Sequence, residues 1–369
     1  INDVGMTPAR KTIEGTDQYG FHVRVGGGLS DGPRMASDLD VFVPPGDAVE
    51  FTRAVAQTFK ELGDRNNRGV CRMRYLVQQL GAERFEAAVR DRCGVDLPTR
   101  GTDLTRGYRG DHVGVHEQKE EGLYYVGFNV IAGRMGGEEF IQAARAAERY
   151  GTDDASVRLA TDQNFLLTHV PEENLDALLN EPFAKKYRPD PGPFSRGAVG
   201  CTGSEFCSYG IIETKQRVRR WAKALDRRID TPDDLEVVRM HMSGCSASCA
   251  QPQIADIGFR GETVKVDDPE GTTNEEGDDR EASETPCADG EAVDIVEGMD
   301  VGLGGSLGSD NAFLDWVEAA VPADAVIPAL EQLFAAFSHE RTGDERFYEW
   351  CRRVDNDRLR TLMQDADAT

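Results

Sequence analysis

The sequence predicts an α+β protein that contains one domain in two copies and a small half-domain between them. The length of 369 residues is sufficient for two or three domains. The segment GFHVRVGGGLS, which begins at Gly20, returns at Gly298 as GMDVGLGGSLG. So long a period indicates a duplicated domain rather than a solenoid, whose repeats span about 20 to 50 residues. The third observation is the βαββα pattern of the middle of the chain.

The first copy is predicted to combine short strands with amphipathic helices. Apolar stretches predict strands at 23–25 and 39–43, and helical spacing of apolar residues predicts helices over 47–62 and 72–93. The stretch 95–110 is rich in Pro, Gly and Arg and is predicted to be a linker.

The middle of the chain is predicted to form a ferredoxin-like half-domain, because its elements alternate as strand, helix, strand, strand and helix. The predicted strands are 124–131, 156–159 and 164–169, and the predicted helices are 137–150 and 172–179. The resulting domain boundaries are 1–95, 107–185 and 193–369.

The charge of the chain is strongly acidic. Asp and Glu number 66 against 42 Lys and Arg, which gives a formal charge of −24. This balance excludes a sequence-independent nucleic-acid binder, which needs a basic surface. Only 8 of the basic residues are Lys, and an acidic, Lys-poor surface is typical of a halophile protein, since salt screens its self-repulsion. The acidic stretch 262–292 is predicted to be a mobile surface loop and not a functional acidic site.

The chain carries no sign of export or membrane insertion. No apolar run reaches the length of a membrane span, and the opening segment INDVGMTPAR lacks the features of a signal peptide. We therefore expect a cytoplasmic protein that binds no membrane, in which Cys spacing reflects metal or redox chemistry.

The two copies differ in their N-terminal parts. A long stretch precedes the segment IADIGF at Ile254, whereas the matching segment INDVGM begins the chain at Ile1. We expect that the chain lacks the front of the first copy; the alternative is that only part of the domain was duplicated.

Four cysteines form two pairs in the second copy. Cys201 and Cys207 have C-x5-C spacing, and Cys245 and Cys249 have C-x3-C spacing, each pair beside glycines. A helix is predicted to start just after Cys207, and its N–H groups would lower the pKa of nearby thiols. Its apolar face would consist of Ile211, Val218, Ala222, Leu225 and Ile229.

The spacing leaves three interpretations of these cysteines open. Two local disulfides would close very small loops and are disfavoured in a reducing compartment. Structural zinc sites usually use C-x2–4-C pairs, so the x5 spacing counts against zinc. Four thiolates on a [4Fe–4S] cluster fit the number of ligands and their softness. The spacing by itself does not indicate a haem.

Several motifs resemble one family. CTGSEFC with IIETKQR, and MHMSGCSASCAQPQIADIGF, resemble the sirohaem and [4Fe–4S] signature of assimilatory ferredoxin-dependent nitrite and sulfite reductases. VGGGLS, NNRGVCRMRYL, GVHEQKEEGLYYVG, RLATDQNFLL and VGLGGSLGSD are similar as well. The resemblance implies pseudo-two-fold repeated sirohaem/Fe–S domains. It also implies that Cys201, Cys207, Cys245 and Cys249 ligate the cluster, with Cys249 bridging to the sirohaem iron.

The resemblance implies further residues near the sirohaem, each with a structural alternative. Arg158, Gln163, Asn164 and Gln118 match segments close to the cofactor, but they could equally be hydrogen-bonded framework. Arg68 and Arg72 are candidates for the sirohaem carboxylates, although Arg-rich helices in acidic proteins often form surface ion pairs. His241 is either a proton donor or a packed structural residue.

The resemblance implies an oxidoreductase of nitrate assimilation that takes nitrite to ammonium with six electrons from ferredoxin. A sulfite reductase that forms sulfide uses the same cofactors and is the first alternative. A non-catalytic metal-binding or electron-transfer module is the second. The partners implied are ferredoxin and a small anion, with the protein as a monomer. The family's substrate-binding Arg and Lys lie upstream of the segment matching Ile1, so the catalytic residues stay unknown and this chain alone is expected not to be competent.

Overall fold

The computed structural model describes residues 1–105, 111–267 and 293–364. By its internal contacts the chain divides into two compact units. The first is Ile1–Arg109 with Ser306–Ala312, and the second is Gly110–Gly305 with Phe313–Thr369. The three domains predicted at 1–95, 107–185 and 193–369 stay a prediction.

The first unit is an antiparallel sheet covered by helices. Its strands are β1 (Val4–Ile13), β2 (Thr16–Val25), β3 (Ser37–Val43) and β4 (Thr102–Asp103), in the order β3-β2-β1-β4. Its helices are α1 (Ala48–Leu62), α2 (Met73–Leu80) and α3 (Ala82–Arg90). Alternation along β3 buries Leu39, Val41 and Val43 against Phe51 and Val55 of α1, and these residues belong to one core.

Two predictions for this unit were wrong in detail. The helix predicted over 72–93 is divided at Gly81, whose φ of 79° ends α2 before α3 begins. The predicted linker 95–110 contributes β4, which pairs with Ala9 and Arg10 of β1. Residues 106–110 of that linker lie outside the described residues.

The second unit begins with the half-domain, an antiparallel sheet of order β5-β6-β8-β7. Its strands are β5 (Gly114–Glu117), β6 (Leu123–Phe128), β7 (Val157–Leu159) and β8 (Phe165–Pro171). Its helices are α4 (Gly137–Tyr150), α5 (Leu175–Leu179) and α6 (Pro182–Lys186). The strand predicted at 124–131 is shorter, because the chain turns into a short 3-10 helix at Ile131–Gly133.

The rest of the second unit contains a mixed sheet of order β13-β12-β11-β10-β9, in which β9 and β10 run parallel to β11. Its strands are β9 (Ala198–Gly200), β10 (Met240–Ser243), β11 (Ile257–Asp267), β12 (Val293–Leu303) and β13 (Asp315–Pro322). Its helices are α7 (Pro193–Arg196), α8 (Lys215–Arg228), α9 (Val326–Glu340), α10 (Phe347–Arg353) and α11 (Asn356–Gln364). Of the acidic stretch 262–292, residues 262–267 belong to β11, and 268–292 lie outside the described residues.

The predicted duplication is confirmed in the order of the elements. Strands β1 to β3 followed by α1 to α3 recur as β11 to β13 followed by α9 to α11. Even small features repeat: an isolated bridge joins Gly28 to Arg34 in the first copy, and another joins Ser306 to Ala312 in the second. The α+β fold class is therefore confirmed. In the described ranges, every helix is too short or too polar to span a lipid bilayer.

Candidate metal centre

The cysteine pairs follow the ends of two neighbouring parallel strands. Cys201 comes directly after β9, and Cys245 lies two residues beyond the end of β10. Since parallel strands end at the same edge of a sheet, the two pairs begin side by side. The contacts agree: the Cys201 N–H donates to the Met242 carbonyl at 3.0 Å, and the Gly244 N–H donates to Cys201 Sγ at 3.2 Å.

The four thiols lie within electrostatic range of one another. Burial raises the pKa of the Cys249 thiol, and the negative charges of Cys201, Cys245 and Cys207 raise it further. Cys249 is the exposed member of the set, and the other three are partly buried. Four thiolates gathered without a cation repel each other. The donor set therefore fits a soft, positively charged metal group.

The structure removes one of the three interpretations of the four cysteines. Every cysteine in the described ranges is a free thiol, so the disulfide interpretation is wrong for these two pairs. A zinc ion would need its sulfur ligands at about 2.3 Å from one point. In the described part of the chain, no group of three or more His, Cys, Asp or Glu side chains is placed to hold such an ion. The cysteine geometry by itself therefore does not distinguish zinc from a [4Fe–4S] cluster.

The helix predicted to start after Cys207 begins only at Lys215. The intervening loop is folded by distant partners, because the Ile211 N–H donates to the Gly244 carbonyl at 2.8 Å. Ile211, expected on the buried face of the helix, is 41% exposed. Val218, Ala222 and Leu225 are buried as predicted, and Ile229 packs at the edge of the same core. The helix N-terminus expected directly beside Cys207 therefore lies further along the chain, at Lys215.

Three consecutive residues at the start of α8 organise the backbone around Cys201. The Glu213 carboxylate accepts from the N–H groups of Gln216 and Arg217, which satisfies the first turn of the helix. Thr214 is the residue before the helix, but its side chain does not cap it. Its hydroxyl instead donates to the Cys201 carbonyl at 2.8 Å. The Lys215 ammonium donates to the Gly200 carbonyl at 3.1 Å. Burial lowers the pKa of Lys215, and the charge of Cys201 acts in the opposite direction.

Gly203 is the glycine that this loop requires most clearly. Its φ is +69°, and a Cβ atom there would lie 2.5 Å from Thr214 Oγ1 and 2.9 Å from the Thr214 backbone nitrogen. Only glycine combines this backbone conformation with such a close approach.

We expect Gly203→Ala to lower the free energy of unfolding by roughly 1–3 kcal/mol, because alanine is strained at positive φ and would displace Thr214. Urea unfolding followed by circular dichroism measures the change. Gly46→Ala is the matched control, since no atom lies within 4 Å of its added Cβ. Equal stability of the two variants would show that the loop tolerates a side chain at Gly203.

Of the other predicted site residues, Gln163 lies against the cysteine loop. Its Nε2 donates to the Gly200 carbonyl at 2.9 Å, and its Oε1 accepts from the Gly200 N–H at 3.3 Å. Asn164 is buried within the half-domain, where its Oδ1 accepts from the Val130 N–H at 2.7 Å. Gln118 accepts from the His169 N–H at 2.7 Å. All three amide side chains therefore form hydrogen bonds with backbone groups of the protein, which fits the structural alternative.

The predicted arginines have more exposed positions. Arg158 lies on β7 and donates from Nε to Ser156 Oγ at 3.2 Å. Arg72 belongs to the first unit, where it pairs with Asp3 at 3.1 Å. Arg68 is exposed in a short 3-10 helix of the same unit. Cofactor roles for all six residues stay predictions.

His241 is held as a neutral ring. Burial and then the charge of Arg239 lower its pKa to about 4. Its Nδ1 lies 3.2 Å from the Gln251 carbonyl oxygen. This contact fits the structural alternative for His241 rather than a proton donor at neutral pH.

The sequence analysis places Gly244 beside a cysteine pair, but it missed Thr214 and Lys215 as residues of this site. The only sequence signal was that these residues lie close to the cysteine motifs. Their contacts are hydrogen bonds to backbone groups, whose positions the sequence does not give.

Comparison with known proteins identifies the two kinds of domain. A family model described as "Nitrite and sulphite reductase 4Fe-4S domain" matches residues 1–97 and 192–368. A second, described as "Nitrite/Sulfite reductase ferredoxin-like half domain", matches residues 116–184. The predicted ferredoxin-like half-domain is thereby confirmed, and the description of the first model contains the predicted [4Fe–4S] cluster.

Individual relatives agree with these matches. The assimilatory ferredoxin-dependent nitrite reductase of Haloferax mediterranei is 37% identical over 368 residues, which cover 95% of this chain and 57% of the relative. The ferredoxin–nitrite reductase of Synechococcus elongatus is 37% identical, with 90% of this chain and 59% of the relative covered. The solved structure of the Mycobacterium tuberculosis NirA protein has a TM-score of 0.80 and 29% identity, covering 98% of this chain and 61% of that one.

The chain thus spans about three fifths of the length of the curated relatives that it matches. The matches nevertheless include both sheet-and-helix copies and the half-domain, and the four paired cysteines, all free thiols, lie inside the matched residues 192–368. This chain belongs to the nitrite and sulphite reductase 4Fe-4S family.

Proposed function

We propose that this chain is the cofactor-holding part of an enzyme that reduces nitrite to ammonium with six electrons from ferredoxin. The observation that carries the proposal is that Cys201 and Cys245 follow the ends of the adjacent parallel strands β9 and β10, and that the charges of Cys201, Cys245 and Cys207 act on Cys249. The relatives named above support the choice of nitrite and ferredoxin.

The four thiolates are proposed as the ligands of the [4Fe–4S] cluster. Cys249 is the proposed link to the sirohaem iron, because it is the exposed member of the set. When bound, the two groups supply electron storage and an open iron position for the anion. The protein holds the thiolates in place: the Gly244 N–H donates to Cys201 Sγ, and the Thr214 hydroxyl fixes the Cys201 carbonyl.

The surroundings of the sirohaem are proposed from the family resemblance. Gln163 has the most direct support, because it hydrogen-bonds the residue before Cys201. Arg68 and Arg72 are proposed to bind the sirohaem carboxylates. Arg158, Gln118 and Asn164 are proposed to lie close to the cofactor. A monomer in the cytoplasm is also proposed, because a charge of −24 opposes self-association and reducing conditions keep the thiols free.

The test begins with cofactor content and ends with turnover. We expect anaerobically purified protein to contain iron and acid-labile sulfide and to absorb strongly in the visible range. The full-length gene product should then form ammonium from nitrite with reduced ferredoxin. Faster turnover of sulfite to sulfide would favour the sulfite alternative. Colourless protein without iron or sulfide would overturn the proposal in favour of a non-redox module.

A further inference from the structure

Lys215 is bonded to two backbone carbonyls instead of a carboxylate. Its Nζ donates to the Ala132 carbonyl at 2.6 Å and to the Gly200 carbonyl at 3.1 Å. Gly200 is the residue before Cys201, so a positive charge lies beside the backbone of one proposed cluster ligand. In the described ranges, no ion pair joins Lys215 to an acidic side chain.

The neighbouring cations differ from Lys215 in this respect. Arg134 pairs with Glu205 at 2.5 Å, and Arg217 pairs with Glu297. A paired carboxylate cancels most of the field that a cation exerts at a distance. The charge of Lys215 is not cancelled by such a contact, and Lys215 binds the carbonyl of the residue directly before Cys201.

The same contacts connect the half-domain to the strand end that carries Cys201. Ala132 precedes α4 and has a φ of 57°, and Gln163 precedes β8 and has a φ of 67°. Residues with side chains rarely adopt this conformation unless their surroundings hold it. Lys215 donates to the carbonyls of both Ala132 and Gly200, and the Gln163 side chain bonds the backbone of Gly200. Both unusual turns are therefore connected to the residue before Cys201.

We propose that Lys215 is a positioning residue of the metal centre, which fixes the backbone before Cys201 and raises the reduction potential of the cluster bound there. This inference rests on the proposed function, since it assumes that Cys201 ligates a redox cluster. Reduction adds negative charge to the cluster. A cation held in a partly buried position stabilises that charge, and removing the cation makes reduction harder.

The experiment is a redox titration of the full-length holoprotein, followed by the electron paramagnetic resonance signal of the reduced cluster. Lys215→Met and Lys215→Gln remove the charge, and Lys215→Arg keeps it. Lys223→Met is the matched control, because Lys223 lies on α8, is exposed and carries the same charge. We expect the equilibrium constant for reduction to fall about tenfold in Lys215→Met and Lys215→Gln, which is about 59 mV for a one-electron couple. Lys215→Arg and Lys223→Met should stay near the wild-type potential.

A second measurement does not need the cluster. Hydrogen exchange of the cluster-free protein should be faster in the 198–203 segment of Lys215→Met than in wild type or Lys223→Met. Should Lys215→Met fail to fold, Lys215→Gln and Lys215→Arg still compare a neutral and a charged hydrogen-bond donor at the same position.

The inference is overturned if fully loaded Lys215→Gln has the wild-type potential, or if Lys215→Arg shifts as far as Lys215→Gln. It is also overturned if exchange in 198–203 is unchanged in the cluster-free variants. A wild-type protein that binds no iron and sulfide contradicts the proposed function instead, and the exchange measurement then still decides the positioning role.

Discussion

Cys245→Ser is expected to reduce the iron and acid-labile sulfide of the purified protein to background. A serine hydroxyl is a hard, weakly acidic ligand, and the cluster needs a soft thiolate at each of its four corners. Nitrite reduction by the full-length protein should be lost with the cluster, because electrons would have no route to the substrate. Colorimetric iron and sulfide assays of anaerobically purified protein measure the result.

Cys93→Ser is the matched control for this substitution. Cys93 is also a free thiol in the described structure, but it packs against the core of the first unit and has no paired spacing. Its replacement should leave iron and sulfide at the wild-type ratio. Full cluster content in Cys245→Ser would show that Cys245 is not a ligand, and the proposed set of four would be wrong.

Asp256→Asn is expected to cause a large loss of stability. Asp256 accepts three hydrogen bonds from Arg239: from the backbone N–H at 2.7 Å, from Nε at 2.9 Å and from Nη2 at 3.1 Å. Both side chains are buried, with less than a tenth of their area exposed. Removing the carboxylate charge would break this buried ion pair while both polar groups stay buried, which costs roughly 3–5 kcal/mol.

The pair also matters for the metal centre, because Arg239 directly precedes β10, and β10 leads to Cys245. Urea unfolding of the cluster-free protein measures the free-energy change without a contribution from the cofactor. Asp234→Asn is the control: Asp234 pairs with Arg341 but is about half exposed, so its loss should cost about 0–1 kcal/mol. Similar costs in both variants would mean that burial does not strengthen the Arg239 pair.

The sequence predicted the parts of this protein that depend on local pattern. Helix α4 was predicted at 137–150 and is found at Gly137–Tyr150, because its apolar spacing and flanking glycines are all local. The duplication could be predicted because similar segments are recognised by comparing the sequence with itself, without information about contacts. The cysteine pairs were recognised because the family motif lies within short, continuous segments.

Only the tertiary structure decided how those segments meet. Helix α8 starts only at Lys215, and the loop before it is held by the Ile211 N–H donating to the Gly244 carbonyl, a contact between segments far apart in the chain. The two residues of β4 form a strand only because β1 provides their partners. The roles of Lys215 and Gln163 depend on one carbonyl, that of Gly200. A hydrogen bond to a backbone carbonyl requires no particular residue type at the acceptor position. The sequence therefore predicts the four cysteine ligands, but not the backbone contacts that hold them.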